Sequence, residues 1–177
     1  MSGEVVIRRA DAAEAGERIE DLADVLIDCV EGGASVSFML PLARATALAF
    51  WRGIAQGVAR GERALLVALD PDDDNRVIGT VQLLLALPQN QPHRADVAKM
   101  LVHRRARRRG VAGRLLAAAE DTARSEGRTV LVLDTATGGD AERLYARCGW
   151  QRVGVVPRYA LMPDGADCAT TFFYKQL

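Results

Sequence analysis

The sequence predicts an α/β protein of the α+β kind, in which one mixed sheet is flanked by helices. Short apolar runs typical of strands alternate along the chain with amphipathic stretches typical of helices. The run at 129–133 is almost wholly apolar, as expected of a strand covered on both faces. A stretch rich in arginine and glycine, 103–122, joins the end of an apolar strand to an amphipathic helix. We expect one domain over 1–177, in the order β-α-α-β-β-β-α-β-α-β-β.

The first elements of the chain are a strand and two helices. Residues 4–9 alternate apolar and charged side chains, which predicts a strand. Residues 15–30 carry apolar side chains at helical spacing, and the glycine pair at 32–33 ends that helix. The second helix is predicted from Pro41, which suits a first helical turn, to about residue 61.

Strands dominate the second half of the chain. Strands are predicted at 64–69, 77–85, 95–102, 129–133, 151–156 and 169–174, with helices from the glycine-rich turn to about 125 and at 141–148. The acidic turn at 70–75 lacks the later ligands of a calcium loop, which favours a solvated hairpin turn. Asp140 is expected to cap the last helix. We expect the last two strands to be antiparallel around the turn at 162–165.

Composition and charge argue against several classes of protein. The formal net charge is +0, so the arginine run is a local feature and no nucleic-acid partner is expected. The three cysteines have no C-x-x-C spacing and there are only two histidines, so neither a disulfide framework nor a metal site is expected. No apolar run approaches the roughly 18 residues of a membrane helix, and the N-terminus has no apolar signal core. We expect a cytoplasmic protein without a membrane partner.

The turn that follows the strand at 95–102 has the features of a phosphate cradle. Gly110, Ala112 and Gly113 leave room for a ligand against the backbone, and the start of a helix has unpaired N–H groups and a dipole that favours anions. The surrounding arginines are Arg104, Arg105, Arg107, Arg108, Arg109 and Arg114. Taken alone, such a run is also typical of a solvated face or a nucleic-acid patch. The turn matches neither G-x-x-x-x-G-K-(S/T) nor G-x-G-x-x-G, which excludes two common phosphate loops.

The same turn resembles the coenzyme-binding motif of the GNAT superfamily of acyl-CoA-dependent N-acyltransferases. The sequence Arg-Arg-Arg-Gly-Val-Ala at 107–112 fits (Gln or Arg)-x-x-Gly-x-(Gly or Ala). Residues 99–103 resemble the family's fourth strand, and residues 141–150 resemble its later A-x-x-x-Y-x-x-x-G-(F/W) helix. The resemblance implies a GNAT-type fold and an N-acetyltransferase that uses acetyl-CoA as co-substrate and no metal.

The resemblance also implies which residues hold the coenzyme. They are Met100, Leu101, Val102, Arg107, Arg108, Arg109, Gly110, Val111, Ala112, Gly113 and Arg114. The loop amides would hold the pyrophosphate. The backbone of the first three residues would pair with the pantetheine arm and supply an amide for the oxyanion.

A proton donor for the departing thiolate is implied at Tyr145, which matches the family's catalytic tyrosine. The alternative is that Tyr145 packs in the core beside Trp150. The chain departs from the family at Gly138, where many members carry an asparagine that bonds the pantetheine arm. The glycine pair at 138–139 would offer backbone groups instead.

The general base is left open by the sequence. Asp96 and Asp134 match acidic positions near the substrate in toxin-modifying members of the family, and a bound water is a third candidate. The structural alternatives are a solvated strand end for Asp96 and a strand-end cap for Asp134. Regular strand alternation would place Asp96 on the same face as Ala98 and Met100.

Further segments resemble family members that acetylate an amino-acid toxin. They are 32–39, 94–97, 133–135, 157–159 and 163–165. This resemblance implies a small primary amine of amino-acid, toxin or antibiotic type as acceptor, with Gly33, Ala34, Ser35 and Phe38 in its binding site. Two alternatives remain: acetylation of protein N-termini or ribosomal proteins, and a non-catalytic protein that binds acyl-CoA. We expect a monomer or a homodimer.

Overall fold

The structure is a computed structural model that describes residues 3–177. Its strands are β1 (Val6–Ala10), β2 (Arg63–Asp70), β3 (Arg76–Leu84), β4 (Arg94–Val102), β5 (Val130–Ala136), β6 (Gln151–Leu161) and β7 (Asp167–Gln176). Its helices are α1 (Ala12–Glu17), α2 (Ile19–Glu31), α3 (Arg44–Ala59), α4 (Val111–Ser125) and α5 (Asp140–Arg147), with a short 3-10 turn at Arg104–Ala106. The helices of this part of the chain include none that is both long and apolar enough to cross a bilayer.

The strands form one mixed sheet in the order β1-β2-β3-β4-β5-β7-β6. Strands β4 and β5 are parallel neighbours, and the other neighbouring pairs are antiparallel. The acidic turn at 70–75 joins β2 to β3 as a hairpin, and the turn at 162–165 joins β6 to β7. The predicted mixed sheet flanked by helices is confirmed.

The sheet separates two hydrophobic cores. On one face, Leu115 and Leu116 of α4 pack against β2, β3 and β4, and this core continues to Phe173 of β7. On the other face, α2 and α3 cover the sheet, and Trp51, which is 1% exposed, lies in the core beneath them. Burial of one stripe of each helix accounts for the helical spacing of apolar residues in the sequence.

The first half of the chain contains one more helix than predicted. The single helix expected at 15–30 is two helices, α1 and α2, separated at Arg18. The Asp11 side chain caps α1 by accepting a hydrogen bond from the Glu14 amide, so the first helix starts earlier than expected. Gly16 lies next to the break, and because glycine has a low helix propensity, interrupting the helix there costs little free energy.

Helix α3 begins at Arg44, so the prediction that Pro41 lies in its first turn is wrong. The backbone at Ala43 is still extended, with a ψ of 137°. The Leu40 amide donates a hydrogen bond to the Pro163 carbonyl, which ties this segment to the β6–β7 turn. A contact between segments so distant in sequence overrides the local preference of proline for a helix start.

Strand β5 and helix α5 also differ from the prediction. Strand β5 continues to Ala136, and burial alternates along it, because Leu131 and Leu133 are buried while Val130 and Val132 are only half-buried. The expectation of full cover on both faces is therefore wrong. Gly139 occupies the cap position of α5, and Asp140 pairs instead with Arg143 one turn later.

Candidate active site

Strands β4 and β5 part in the middle of the sheet. They pair only at residues 94–96 and 130–132, so from residue 97 onwards β4 has no partner in β5. On its other side β4 remains paired with β3 as far as Val102. Both strands end at the same edge of the sheet, where sheets of this kind bind ligands. The cleft between them leaves one backbone edge of Met100, Leu101 and Val102 without a strand partner.

A β-bulge at Lys99 reorients the side chains along this edge. The register between β3 and β4 shifts there, and Lys99 has a φ of 52°. The additional residue inverts the alternation of side chains beyond the bulge. Met100 therefore packs against the α4 core, whereas Asp96 and Ala98 precede the bulge. The prediction that Met100 shares a face with Asp96 and Ala98 is wrong, because it assumed a regular strand.

The turn between β4 and α4 is strongly bent. Arg108 has a φ of 61° and Gly110 a φ of 73°, and both lie in the left-handed region. An ideal Cβ built on Gly110 would meet no atom within 4 Å, so the space in front of this residue is open. Glycine suits this position because other residues are strained there and because its bare backbone allows a ligand to approach closely.

Consecutive amides of this turn lack hydrogen-bond partners. Within residues 3–177, no N–H group from Arg108 to Gly113 donates a hydrogen bond, and the first helical amide of α4 to do so is that of Arg114, to the Gly110 carbonyl. A row of free N–H groups at a helix start is a strong anion site, because the helix dipole adds to the individual bonds. The turn therefore fits a pyrophosphate, as the sequence motif predicts.

Most of the arginines around the turn are paired with carboxylates. The pairs are Arg104 with Asp28 and Glu31, Arg105 with Asp73, Arg109 with Asp70, and Arg114 with Glu4. Arg107 and Arg108 have no carboxylate partner among residues 3–177 and are exposed. Of the six arginines expected to surround the turn with positive charge, two therefore lack a carboxylate partner in the part of the chain that the structure describes. The acidic residues that neutralise the other four come from distant parts of the chain.

Asp28 anchors the turn from helix α2, and the sequence prediction missed it. Its carboxylate accepts hydrogen bonds from the backbone amide of Arg104 at 2.7 Å and from the Arg104 Nε at 2.9 Å. Asp28 is only 9% exposed. The signal in the sequence was an acidic residue on the apolar face of a helix, next to Cys29. A buried carboxylate needs such partners, so the bonds hold the start of the turn in place.

A pocket opens beside the exposed face of β5. It has a volume of ≈ 330 Å³, and its lining includes Ser35, Ser37, Phe38, Asp134, Tyr159 and Leu161. We refer to it as the β5 pocket. The structure therefore places Asp134, Ser35 and Phe38 at the same pocket; their role in binding the acceptor stays a prediction. Gly33 and Ala34 do not line the pocket, and Ala34 packs against the core under α2 and α3.

The two candidate bases differ in their surroundings. Asp134 faces the β5 pocket, and partial burial raises its pKa, while the nearby Lys99 ammonium opposes that effect. The pKa of Asp96 is also raised, mainly by burial. The charge of Arg94 opposes this effect, and the negative charge of Asp134 adds to it. The Asp96 carboxylate accepts a hydrogen bond from Arg94 at 2.6 Å and is not part of the pocket lining. Of the two, Asp134 is the carboxylate open to a ligand.

Tyr145 lies in the core beneath β5. It is 4% exposed, and its ring centroid lies 5.8 Å from that of Trp150 and 5.9 Å from that of Phe173. Burial raises the pKa of its phenol, and the negative charge of Asp134 adds to this effect. No group within residues 3–177 hydrogen-bonds to its hydroxyl. The ring therefore packs beside Trp150, as the structural alternative requires, while its hydroxyl stays protonated at neutral pH.

Comparison with known proteins identifies the family. The model of the acetyltransferase (GNAT) family matches residues 39–150, which include the cleft, the turn and α5. The chain belongs to this family. An N-acetyltransferase encoded in the hisH-hisA intergenic region of Azospirillum brasilense is 32% identical over 133 residues, 74% of this chain and 75% of the relative. Membership of the GNAT family makes this protein an N-acetyltransferase.

Solved structures of acetyltransferases share the whole fold. An N-acetyltransferase from Staphylococcus aureus Mu50 has a TM-score of 0.79 at 18% identity, over 98% of this chain and 99% of its own. The yncA acetyltransferase of Salmonella typhimurium, solved with acetyl-CoA, has a TM-score of 0.75 at 19% identity, over 99% of this chain and 95% of its own. Within residues 3–177 of this protein, no group of three or more His, Cys, Asp or Glu side chains could hold a metal ion.

Proposed function

We propose that the protein transfers an acetyl group from acetyl-CoA to the primary amine of a small molecule of amino-acid type. The observation that carries this proposal is the position of the β5 pocket: Asp134 lies on the strand that forms one side of the β4–β5 cleft. A pocket of ≈ 330 Å³ is at the lower end of the range of about 300–1,000 Å³ that small ligands occupy. Its small size favours a small molecule over a protein chain.

The coenzyme would lie along the cleft. The free amides of 108–113 would hold its pyrophosphate, with Arg107 and Arg108 as the unpaired cations nearby. The unpaired edge of β4 would hold its pantetheine arm. Bound acetyl-CoA supplies the thioester carbonyl and a thiolate leaving group. The β4 backbone would donate a hydrogen bond to the carbonyl oxygen, where charge develops during the reaction.

Asp134 and Tyr145 would carry out the two proton transfers of the reaction. Asp134 would accept a proton from the ammonium form of the acceptor, because its carboxylate faces the pocket and its raised pKa makes it a better base than an ordinary aspartate. Tyr145 would donate a proton to the thiolate. Its raised pKa ensures that the proton is present but weakens the driving force for its transfer. Asp96 is the second candidate base, but its carboxylate is bonded to Arg94 and does not line the pocket.

Two further considerations support an acceptor of amino-acid type. The segments 32–39, 133–135 and 157–159 resemble the tabtoxin resistance protein, a GNAT enzyme that acetylates a β-lactam amino-acid toxin. Residues from all three segments line the β5 pocket. The pocket also combines apolar side chains, such as Phe38 and Leu161, with a carboxylate, so it suits an amine attached to a compact carbon skeleton.

The test is a measurement of coenzyme thiol release with a panel of small amines, amino acids and peptides. We expect turnover with small amines and none above background with peptides; the reverse would assign the protein to the class that modifies protein N-termini. Coenzyme binding without turnover on any acceptor would favour a non-catalytic acyl-CoA-binding protein.

Substitution of the proposed base provides a pH-dependent readout. The wild-type kcat/KM should fall as the pH drops through the raised pKa of Asp134, because protonation removes the base. Asp134→Asn should lower kcat about 10²- to 10⁴-fold and abolish that acidic limb, while the limb set by the amine of the acceptor stays. Asp96→Asn is the matched control, and we expect it to keep the limb. An unchanged profile in Asp134→Asn would leave water as the base.

A further inference from the structure

The cation Lys99 lies next to the β5 pocket, behind the lining residue Ser37. The Lys99 Nζ donates a hydrogen bond of 3.1 Å to the Ser37 Oγ, and Ser37 lines the pocket. The Lys99 side chain is itself half-buried. Beneath it, the Phe50 ring centroid lies 5.9 Å from the Nζ, within the range of a cation–π contact. Lys99 is paired with no carboxylate among residues 3–177. Its ammonium therefore has hydrogen-bonding capacity left for a ligand.

Both residues of this hydrogen bond have an unfavourable backbone conformation. Ser37 has a φ of 80° and Lys99 a φ of 52°, in the left-handed region that residues other than glycine rarely occupy. Such conformations cost free energy, and they cluster at functional sites where the surrounding structure holds them. Here two residues with such conformations, 62 positions apart in sequence, are joined by one hydrogen bond beside the pocket.

The charges around the pocket have opposite signs on opposite sides. Asp134 lies on β5 and lines the pocket, whereas Lys99 lies on β4 across the cleft. The two side chains influence each other electrostatically but are not within the 4.0 Å of an ion pair. Burial lowers the pKa of the Lys99 ammonium, the charge of Asp134 raises it, and the Arg63 guanidinium lowers it. The Arg63 guanidinium donates a hydrogen bond to the Gln82 side chain at 3.1 Å. The gap between Lys99 and Asp134 therefore separates a positive group from a negative one.

We propose that Lys99 and Ser37 form a carboxylate-binding subsite, so that the acceptor is an α-amino acid whose amine faces Asp134 and whose carboxylate faces the Lys99 ammonium. The subsite rests on the proposed function and specifies its substrate class. A zwitterionic amino acid carries the two charges complementary to this pair, because its ammonium and its carboxylate are attached to the same carbon atom. The Ser37 hydroxyl accepts from Lys99 and donates its own proton to the carboxylate. The apolar wall of the pocket receives the amino-acid side chain.

The experiment compares glycine and the L-α-amino acids that have a primary amine, each with its carboxamide as acceptor, using the protein with saturating acetyl-CoA. For the wild type we expect a higher kcat/KM for the acid than for the amide. Lys99→Met keeps most of the length of the side chain and removes the charge. At a pH well above the pKa of Asp134, where the base stays ionised without Lys99, it should lower kcat/KM for the acid about 10- to 100-fold and leave that for the amide within about threefold. Ser37→Ala should produce a smaller loss in the same direction.

Controls separate this subsite from other effects of the substitutions. Lys99→Arg retains a cation and should keep much of the preference for the acid, and Arg124→Met, which removes an exposed cation from α4, should leave the preference unchanged. Melting temperatures and coenzyme affinity of all variants establish that they are folded. Equal losses for acid and amide in Lys99→Met, or no loss for either, would overturn the subsite while leaving acetyl transfer to small amines intact. Absence of transfer to every acid and amide, while other small amines are acetylated, would overturn the subsite alone. Absence of transfer to the small-amine panel as well would overturn the proposed function.

Discussion

Gly110 provides the most direct test of the coenzyme site. Its φ of 73° suits Asn and Asp better than other residues with a side chain, and a Cβ there would meet no protein atom, so both substitutions should fold. A carboxylate held about 5 Å from a phosphate charge repels it by about 3 kcal/mol at an effective dielectric constant of about 20. This energy corresponds to a loss of affinity of roughly 100-fold. We therefore expect Gly110→Asp to bind acetyl-CoA at least about 100-fold more weakly than Gly110→Asn, which has the same shape without the charge.

Calorimetric titration with acetyl-CoA measures this difference. The two variants should melt at similar temperatures, because both carry the same backbone strain. Raising the salt from about 0.1 M to about 1 M shortens the screening length from about 10 Å to about 3 Å and should narrow the gap between them. Equal affinities of the two variants at low salt would refute the electrostatic argument. Affinities equal to that of the wild type would show that the turn does not bind the coenzyme.

Further predictions concern the proton donor and the arginines. Tyr145→Phe should keep the packing beside Trp150, and hence the melting temperature, while kcat falls about 10²- to 10⁴-fold; near-normal kcat would assign Tyr145 a packing role only. Arg107→Gln should weaken coenzyme binding by about 10-fold without loss of stability, since its charge is unpaired. Arg109→Gln should mainly lower the melting temperature, because it leaves the buried Asp70 carboxylate without its partner at 2.8 Å. Calorimetry and thermal unfolding of both arginine variants measure the two effects, and an equal loss of affinity would contradict the pairing argument.

Most of the secondary structure could be predicted because its causes are local. The apolar spacing of α4, the left-handed glycines near helix ends and the breaker-rich turns each act within a few residues. Predictions failed where a distant segment intervened. Pro41 does not begin α3 because the neighbouring Leu40 amide bonds to Pro163, far along the chain. The bulge at Lys99 has no comparable signature in the sequence, so the orientation of Met100 was predicted wrongly.

The candidate site likewise combines features that depend on local sequence with features that depend on distant contacts. The sequence by itself determined the GNAT motif, the strand–turn–helix that carries it, and the candidate acids and bases, since these depend on residue types at short spacing. Only the tertiary structure decided which charges remain available. Arg109 meets Asp70 across 39 residues of chain, and Lys99 meets Ser37 across 62. Electrostatic and hydrogen-bond energies depend on distances in space, and packing of the helices on the sheet sets those distances.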